Sequence, residues 1–490
     1  MTRIPPCWVT GLTLLSLGFL LFFVISPIQA EEGLFDLEAI RETSTLEVKV
    51  LIDWAVSKKE PTIRQKLIEI TVCEWWPGQK VRLPVTLNTP ADGKACLNVV
   101  IANQGLGNRP TLPTKGSLTL LKEHGVGVVL IGMSTIEMMK PVGELHLGMK
   151  KQLLATKDRR YTVAWIWGMS QMRALTAAMT EPEVFEPVRV LTTGGSKRGV
   201  AATVAGIFDD RFTAILPVVS PILGNPGAPC FVEGAEPEEI IKANEVFLEK
   251  ADPGHAEAFR ERATRRSNHR VTLAQAKAAG WSDSDIESMT DKVWDATKIT
   301  NFLKEVKARD LDYFWNVGTN DNVSPALLEV GNLYPEFPLC IIPRGQHGGP
   351  ATAGFTKRVP TLPEIEANFL SFALYHFKEA RSMPKPPEIV VEPIEKRGVK
   401  VTAIFRKGLD PEMNELHFSF NRSEPYTIAF EFDEWSVAKM TRMDAGVYEA
   451  EVKVPKNLLM WHLDVVTLHR HVENNLPITF SGPYCRMGSF

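Results

Sequence analysis

The chain has 490 residues and a formal net charge of −3, from 55 Lys and Arg against 58 Asp and Glu. Hydrophobic residues make up 44% and charged residues 23%, as in ordinary globular proteins that bury a large core. No basic tail or stripe occurs in the sequence, so nucleic acid is not an expected partner. The length predicts two or three domains.

The first 30 residues differ in composition from the rest of the chain. Arg3 precedes an uncharged run from Trp8 to Ile25, and Pro27 and Ala30 follow that run. A basic start, an apolar stretch and a small residue before the cut are typical of a secretory signal peptide, here cleaved after Ala30. The alternative is an uncleaved membrane anchor, because the run is just long enough to span a bilayer. Either way, we expect an exported protein that is periplasmic, bound to the cell envelope or secreted, with membrane attachment only if the segment is uncleaved.

Five cysteines follow the predicted signal segment, and none of them forms a CxxC pair. They are Cys73, Cys96, Cys230, Cys340 and Cys485. Metal-ligand spacing is therefore absent from the sequence. One or two disulfides are compatible with an oxidising compartment, but the sequence does not indicate their pairing. We expect neither a metal nor an organic cofactor.

Segments typical of strands and of helices alternate through residues 81–219. The predicted strands are Val81–Leu87, Leu97–Ala102, Val126–Ile131, Val188–Leu191 and Phe212–Val219. The predicted helices are 116–124, about 150–179 with interruptions, and a small-residue-rich segment after 196. Alternation of this kind predicts an α/β fold with a mainly parallel sheet and helices on both faces. Aromatic and Met residues at helical spacing, such as Trp165, Trp167 and Met172, are predicted to be core.

The alternation is interrupted by residues 224–309, which are charged and helical without a strand signal. A helical insertion between core strands predicts a lid, by analogy with other proteins of this architecture. Strands resume at Leu311–Val317 and Leu339–Ile342, and an amphipathic helix at about Leu362–Phe377 follows. We therefore predict one α/β domain over residues 31–380 that contains the lid.

A proline-rich stretch at residues 381–387 marks a change of composition and predicts a stiff linker. Beyond it, apolar and polar residues alternate with a period of two. The predicted strands are Lys400–Arg406, Glu415–Asn421, Tyr426–Phe432, Val447–Val454 and Trp461–Arg470. Several short strands at regular spacing predict a small β-sandwich over residues 388–490.

Ser196 is the candidate nucleophile. It lies between a predicted strand and a predicted helix in the pattern G-x-S-x-x-G. A nucleophile elbow places its serine on a strained turn between such elements, and Gly194, Gly195 and Gly199 are small enough for the required close approach. The Lys197 amide at the helix start can donate to the oxyanion of a tetrahedral intermediate. The alternatives are a plain loop and a phosphate nest.

A serine hydroxyl needs a base to become a good nucleophile, and in this arrangement the base comes last in the chain. His347 satisfies that order, in a glycine-rich loop after the last core strand. The orienting acid is expected between the two, and Asp321 follows the preceding strand. Asp310 and Asp312 precede that strand, which would place them at its opposite end. The alternatives are a surface histidine and an Asx-type turn.

The second oxyanion donor is expected from the loop at residues 102–108. Gly105 and Gly107 suit a donor loop, and the Leu106 amide is our candidate, with an ordinary turn as the alternative. Arg198, next to Lys197, raises the question of an anionic substrate. Pairing with nearby carboxylates to orient the loop is the structural role that we favour for it.

The Gly-Gly-Ser-Lys-Arg-Gly stretch at residues 194–199 resembles the elbow of the PhoPQ-activated pathogenicity-related protein family. The resemblance extends to residues 209–212, 217–219, 318–321 (the family's G-x-x-D acid loop) and 105–108 (its G-G-x-N loop). It implies an α/β-hydrolase domain followed by a β-sandwich, in an exported hydrolase whose substrate is poorly defined.

Two features set the chain apart from that family. Val-Ala-Ala at residues 200–202 stands where the family has a tryptophan-rich stretch, and the predicted lid matches poorly. Residues 165–170, with Arg173, are instead similar to glucuronoyl and acetyl-xylan esterases, which act on carbohydrate-linked esters.

The sequence thus predicts a serine hydrolase that cleaves an acyl ester of a small or carbohydrate-linked molecule. Ser196 would attack the carbonyl, His347 would move the proton and Asp321 would hold the imidazole. One alternative is an aminopeptidase-like serine peptidase on the same scaffold. The other is a non-catalytic envelope binding protein that interacts through its β-sandwich.

Overall fold

The structure is a computed structural model of the chain. It describes residues 34–105, 107–133, 145–223, 231–232, 237–242, 245, 248, 253, 256–257, 260, 271–319, 321, 326–345, 362–395, 397–406, 409–422 and 435–488. The predicted signal segment lies outside these residues. Within them, no helix is both long enough and apolar enough to cross a membrane.

Strands and helices alternate through the described residues up to 378. The strands are β1 (Lys49–Val56), β2 (Ile63–Trp76), β3 (Gln79–Pro90), β4 (Cys96–Gln104), β5 (Gly127–Gly132), β6 (Phe185–Gly195), β7 (Ala214–Val218), β8 (Phe231–Val232), β9 (Val271–Thr272), β10 (Asp312–Tyr313), β11 (Trp315–Gly318) and β12 (Leu339–Ile342). The helices are α1 (Leu37–Arg41), α2 (Lys115–His124), α3 (Leu145–Thr156), α4 (Val163–Ala178), α5 (Lys197–Phe208), α6 (Pro237–Lys242), α7 (Leu273–Ala278), α8 (Asp283–Asp295), α9 (Leu303–Ala308), α10 (Leu327–Leu333) and α11 (Leu362–Lys378).

The central sheet has the strand order β1-β2-β3-β5-β4-β6-β7-β11-β12, and β10 also pairs with β7. Pairing is antiparallel from β1 through β5 and parallel from β5 onward. The predicted mainly parallel α/β fold is confirmed. The carboxyl ends of β4, β6, β7, β11 and β12 meet at one edge of the sheet, where ligands bind in open α/β sheets.

Burial on both faces explains why strands β5 and β12 were visible in the sequence. Every residue of β5 and of β12 is buried, which gives a continuous apolar run instead of an alternating one. Helix α4 is buried on all sides, so the predicted core positions Trp165, Trp167 and Met172 are confirmed as core. Gly125 ends α2 in the left-handed conformation, as a glycine after a helix is expected to do.

The described part of the insertion is mostly helical, with one departure from the prediction. Strands β8 and β9 form a two-residue parallel ladder, a pairing too short to leave a periodic signal in the sequence. Met289 and Val293 of α8 lie in one buried apolar cluster with Leu153 of α3, and the indole of Trp281, just before α8, donates to Leu154 O at 2.9 Å. A cavity of about 1250 Å³ lies between α8, α4 and residues 34–47, and neither Ser196 nor Asp321 lines it.

The described residues from 388 onward form two antiparallel sheets. The strands are β13 (Glu388–Ile394), β14 (Gly398–Ile404), β15 (Met413–Phe420), β16 (Ser436–Lys439), β17 (Thr441–Asp444), β18 (Val447–Lys453), β19 (His462–Glu473), β20 (Leu476–Ser481) and β21 (Cys485–Gly488). One sheet has the order β13-β14-β18-β17, and the other β16-β15-β19-β20 with β21 beside β19. The predicted β-sandwich is confirmed, although the predicted strand Tyr426–Phe432 lies outside the described residues.

Strand β20 of the sandwich packs directly against the α/β core. Asn368 of α11 exchanges two hydrogen bonds with the Thr479 backbone, at 2.9 and 2.8 Å. The Ile341 amide of β12 donates to Ser481 Oγ at 3.0 Å. Arg381, at the start of the predicted linker, is buried and donates to the Leu476 carbonyl. The sandwich is therefore packed beside the last strand of the core and is not joined to it by a flexible linker alone.

Candidate active site

Ser196 sits on a strained turn between β6 and α5. Its backbone has φ 58° and ψ −128°, a region that residues other than glycine rarely occupy. The Ser196 amide donates to Val218 O at 2.9 Å, and its carbonyl accepts from the Gly199 amide at 2.8 Å. Such strain costs about 1–3 kcal/mol and persists where the surrounding structure holds it. The strand, turn and helix have the geometry of a nucleophile elbow.

Two of the three elbow glycines have no room for a side chain. A Cβ on Gly194 would lie 2.5 Å from the Arg198 carbonyl oxygen, and one on Gly199 would lie 2.6 Å from Ser220 Cβ. Gly195 is different, since its nearest contact would be Val218 O at 3.8 Å. The sequence predicted a close approach at all three glycines, but only Gly194 and Gly199 make one.

These contacts predict that Gly194→Ala damages the elbow and Gly195→Ala does not. The added methyl of Gly194→Ala would collide with backbone, so we expect a loss of stability of about 1–3 kcal/mol. We also expect at least a 100-fold loss of activity, because an error of about 1 Å in geometry is enough for that. Thermal melting and ester hydrolysis measure the two effects. Full activity in Gly194→Ala would show that the turn is not a catalytic elbow.

The start of α5 holds one of the two groups predicted for the oxyanion. Lys197 is the first residue of α5, so its amide lies at the helix end that favours negative charge. Arg198 Nε donates to the Met133 carbonyl, after β5, at 3.1 Å, so this described partner is a backbone carbonyl and not the carboxylate that we expected. Leu106 lies outside the described residues. The loop that contains it begins beside the elbow, because β4 and β6 are paired in parallel.

A buried hydrogen-bond chain beneath the elbow went unnoticed in the sequence. Gln171 of α4 donates to Asn103 Oδ1 at 2.8 Å and accepts from Thr192 Oγ1 at 3.3 Å. Gln171 and Thr192 are fully buried. Satisfied networks of this kind rigidify their surroundings, here the ends of β4 and β6. A lone glutamine within the apolar run of α4 was the available signal.

Asp321 lies at the same edge of the sheet as Ser196. It follows β11, its side chain is fully buried, and its amide donates to Gly318 O at 3.3 Å. Strand β11 pairs with β7, and β7 pairs with β6, so two strand spacings separate β11 from β6. That separation is about 10 Å. Asp312 lies at the opposite, amino end, where it pairs with Ala214.

His347 lies outside the described residues, but the segment that leads to it is described. A Cβ on Gly318 would lie 2.1 Å from the Gly345 carbonyl oxygen, so these two backbone segments are in direct contact. The Thr319 amide donates to Ile342 O at 3.1 Å, and the Arg344 amide donates to Thr319 Oγ1 at 2.8 Å. Gly345, two residues before His347, therefore lies directly against the end of β11.

The described cysteines are poor rival nucleophiles. Burial raises the pKa of the Cys73, Cys96 and Cys340 thiols to about 12 and that of Cys485 to about 11. The thiolate is the reactive form of cysteine, so these side chains remain inert at neutral pH. All four are free thiols, and Cys230 lies outside the described residues.

Residues 70–251 match the family model of glucuronyl esterases from fungi. The matched stretch contains the elbow and the segment at 165–170 that is similar to glucuronoyl and acetyl-xylan esterases. The fold and this match make the chain a carboxylic-ester hydrolase of the α/β-hydrolase superfamily. The resemblance to the PhoPQ-activated family stays a prediction. No curated protein matches the chain significantly.

Solved structures with similarity to the chain include three esterases. An acetyl xylan esterase from Paenibacillus sp. R4 is 14% identical, with a TM-score of 0.37 over 64% of this chain and 87% of that one. A glucuronoyl esterase from Solibacter usitatus is 14% identical, with a TM-score of 0.37 over 69% and 92%. Another, from Teredinibacter turnerae T7901, is 17% identical, with a TM-score of 0.35 over 67% and 78%.

Proposed function

We propose that the chain is an exported serine esterase in which Ser196 is the nucleophile, His347 the general base and Asp321 the orienting acid. The observation that carries the proposal is the backbone of Ser196, with φ 58° and ψ −128° between a parallel strand and a helix. A strained serine held between two packed glycines is costly for a plain loop and is required by an elbow.

The residues fit the steps of ester hydrolysis. The Ser196 hydroxyl attacks the ester carbonyl while the His347 imidazole accepts its proton, and Asp321 holds the imidazole in the correct tautomer. The oxyanion of the tetrahedral intermediate accepts hydrogen bonds from the Lys197 amide and, in this proposal, from the Leu106 amide. The imidazole then returns the proton to the leaving alcohol, and water repeats the sequence on the acyl-enzyme.

The proposed substrate is an ester of a carbohydrate-linked acid. The matched family is named for glucuronyl esters, and its match covers the elbow. This supports a sugar-acid ester over a peptide, although the same scaffold can serve an aminopeptidase. The export of the enzyme is proposed from the residues before Glu31, which have the pattern of a signal peptide.

Activity-based labelling tests the nucleophile directly. The purified protein is treated with a fluorophosphonate probe, digested with trypsin and mapped. We expect the adduct on the peptide 190–197, which contains Ser196 as its single serine. An adduct confined to any other peptide would contradict the assignment.

A substrate panel then separates the candidate functions. It contains a benzyl glucuronate ester, an acetylated xylo-oligosaccharide, p-nitrophenyl acetate and alanine p-nitroanilide. We expect turnover of the esters, with the glucuronate ester preferred. Cleavage of the anilide alone would indicate a peptidase. Failure of both labelling and turnover would indicate the non-catalytic binding protein.

A further inference from the structure

Thr319, two residues before Asp321, is held by three hydrogen bonds from two directions. Its amide donates to Ile342 O at 3.1 Å, and its hydroxyl accepts from the Arg344 amide at 2.8 Å. Both bonds tie it to the strand and turn that precede His347. Its carbonyl accepts the third bond, from the guanidinium of Arg422, which is 103 residues away in the sequence.

Arg422 belongs to the β-sandwich, just after β15, and only 2% of its surface is exposed. Its guanidinium lies 5.1 Å from the centroid of the Trp435 ring and donates to Tyr484 Oη at 3.1 Å. A buried cation is costly to the fold unless its donors are satisfied. The planar guanidinium of arginine keeps its hydrogen bonds in fixed directions, so the donor to the Thr319 carbonyl is rigid.

The partners of Arg422 are themselves anchored. Tyr484 Oη donates to Asp464 Oδ1 at 3.0 Å, and Asp464 is fully buried and also accepts from Arg486 at 2.8 Å. The Trp435 carbonyl accepts from the side chain of Arg344, whose amide holds Thr319. The sandwich thus contacts the acid loop directly, and it contacts the turn before His347 as well.

We propose that Arg422 is a positioning residue, through which the C-terminal β-sandwich fixes the Thr319 carbonyl and thereby the orientation of Asp321. This inference rests on the proposed function, because that function assigns Asp321 its role. It makes the sandwich part of the catalytic unit. A sandwich that only bound a polymer or an envelope component would not need a buried cation at the end of β11.

The variant Arg422→Met tests the contact in the full-length protein. We expect kcat on the preferred ester to fall about 10- to 100-fold with KM within about twofold, because the acid loses its geometry while the substrate site is kept. Arg422→Lys retains one donor and should recover part of the loss. It also keeps the test decisive if Arg422→Met fails to fold.

Arg381→Met is the matched control. Arg381 is likewise a buried arginine that donates to a carbonyl, but that carbonyl belongs to Leu476 of the sandwich and not to the acid loop. We expect Arg381→Met to lower the melting temperature and to leave kcat within about twofold of wild type. Equal losses of kcat in the two methionine variants would show that general destabilisation is the cause, and would overturn the inference.

A double-mutant cycle shows whether Arg422 acts through Asp321. Residues that act as a unit are non-additive, so adding Arg422→Met to Asp321→Asn should lower kcat by less than about threefold. Full additivity would overturn the inference.

Hydrogen exchange gives a readout that does not depend on catalysis. The amides of Thr319 and Asp321 are hydrogen-bonded in the structure. We expect them to exchange faster in Arg422→Met but not in Arg381→Met. If Arg422→Met left both hydrogen exchange and kcat unchanged while Ser196→Ala abolished activity, this inference alone would be overturned. A protein whose activity survives Ser196→Ala would instead remove the proposed function.

Discussion

Ser196→Ala is expected to lower kcat for ester hydrolysis by on the order of 10⁶-fold, as when the nucleophile of a serine triad is removed. The alanine methyl cannot form the acyl-enzyme, and the remaining oxyanion donors act only on slow attack by water. We expect KM to change little, because the hydroxyl makes its important contacts in the transition state. Initial rates on the preferred ester and fluorophosphonate labelling measure the effect.

Ser382→Ala is the matched control for this variant. Ser382 also carries a hydrogen-bonded hydroxyl, which donates to Glu473 Oε2 at 2.6 Å, and it lies in the connector to the sandwich. Its replacement should leave both rate and labelling at the wild-type level. Labelling of Ser196→Ala at the wild-type rate would refute the assignment of the nucleophile.

The sequence was sufficient for those features whose determinants are local. The turn at Ser196 could be predicted because Gly194, Ser196 and Gly199 lie close together in the chain, and the Cβ that Gly194 lacks would meet the nearby Arg198 carbonyl. Strand β12 was predicted with its observed bounds, since burial on both faces leaves an uninterrupted apolar run. Helix α2 was predicted to within one residue because Gly125 marks its end.

The parts that were missed depend on contacts between distant segments. Strand β1 forms the edge of the sheet with most of its side chains exposed on both faces, so it lacks the alternation that marks a half-buried strand. The hydrogen bond from Arg422 to the Thr319 carbonyl joins positions 103 residues apart, and it forms only because the sandwich packs there. Nothing near Arg422 in the sequence distinguishes it from a surface arginine. Tertiary packing alone reveals that position.

Asp321→Asn is expected to lower kcat by on the order of 10⁴-fold, the loss that follows when an asparagine holds the histidine in the wrong tautomer. The side chain of Asp321 is fully buried, so the isosteric amide should fit the site with little change in packing. We therefore expect the melting temperature to fall by only a few degrees while the rate collapses. Initial rates at saturating ester and thermal melting separate the two effects.

Asp312→Asn provides a demanding control, because Asp312 takes part in a hydrogen-bond chain that imitates a triad. Its carboxylate bonds His376 Nδ1 at 2.7 Å, and His376 Nε2 bonds Thr213 Oγ1 at 2.8 Å. These hydrogen bonds lie at the amino end of β7, at the edge of the sheet opposite the elbow. Asp312→Asn should therefore lower stability and leave kcat within about twofold of wild type. The reverse outcome, with Asp312→Asn inactive and Asp321→Asn active, would move the orienting acid away from the proposed site.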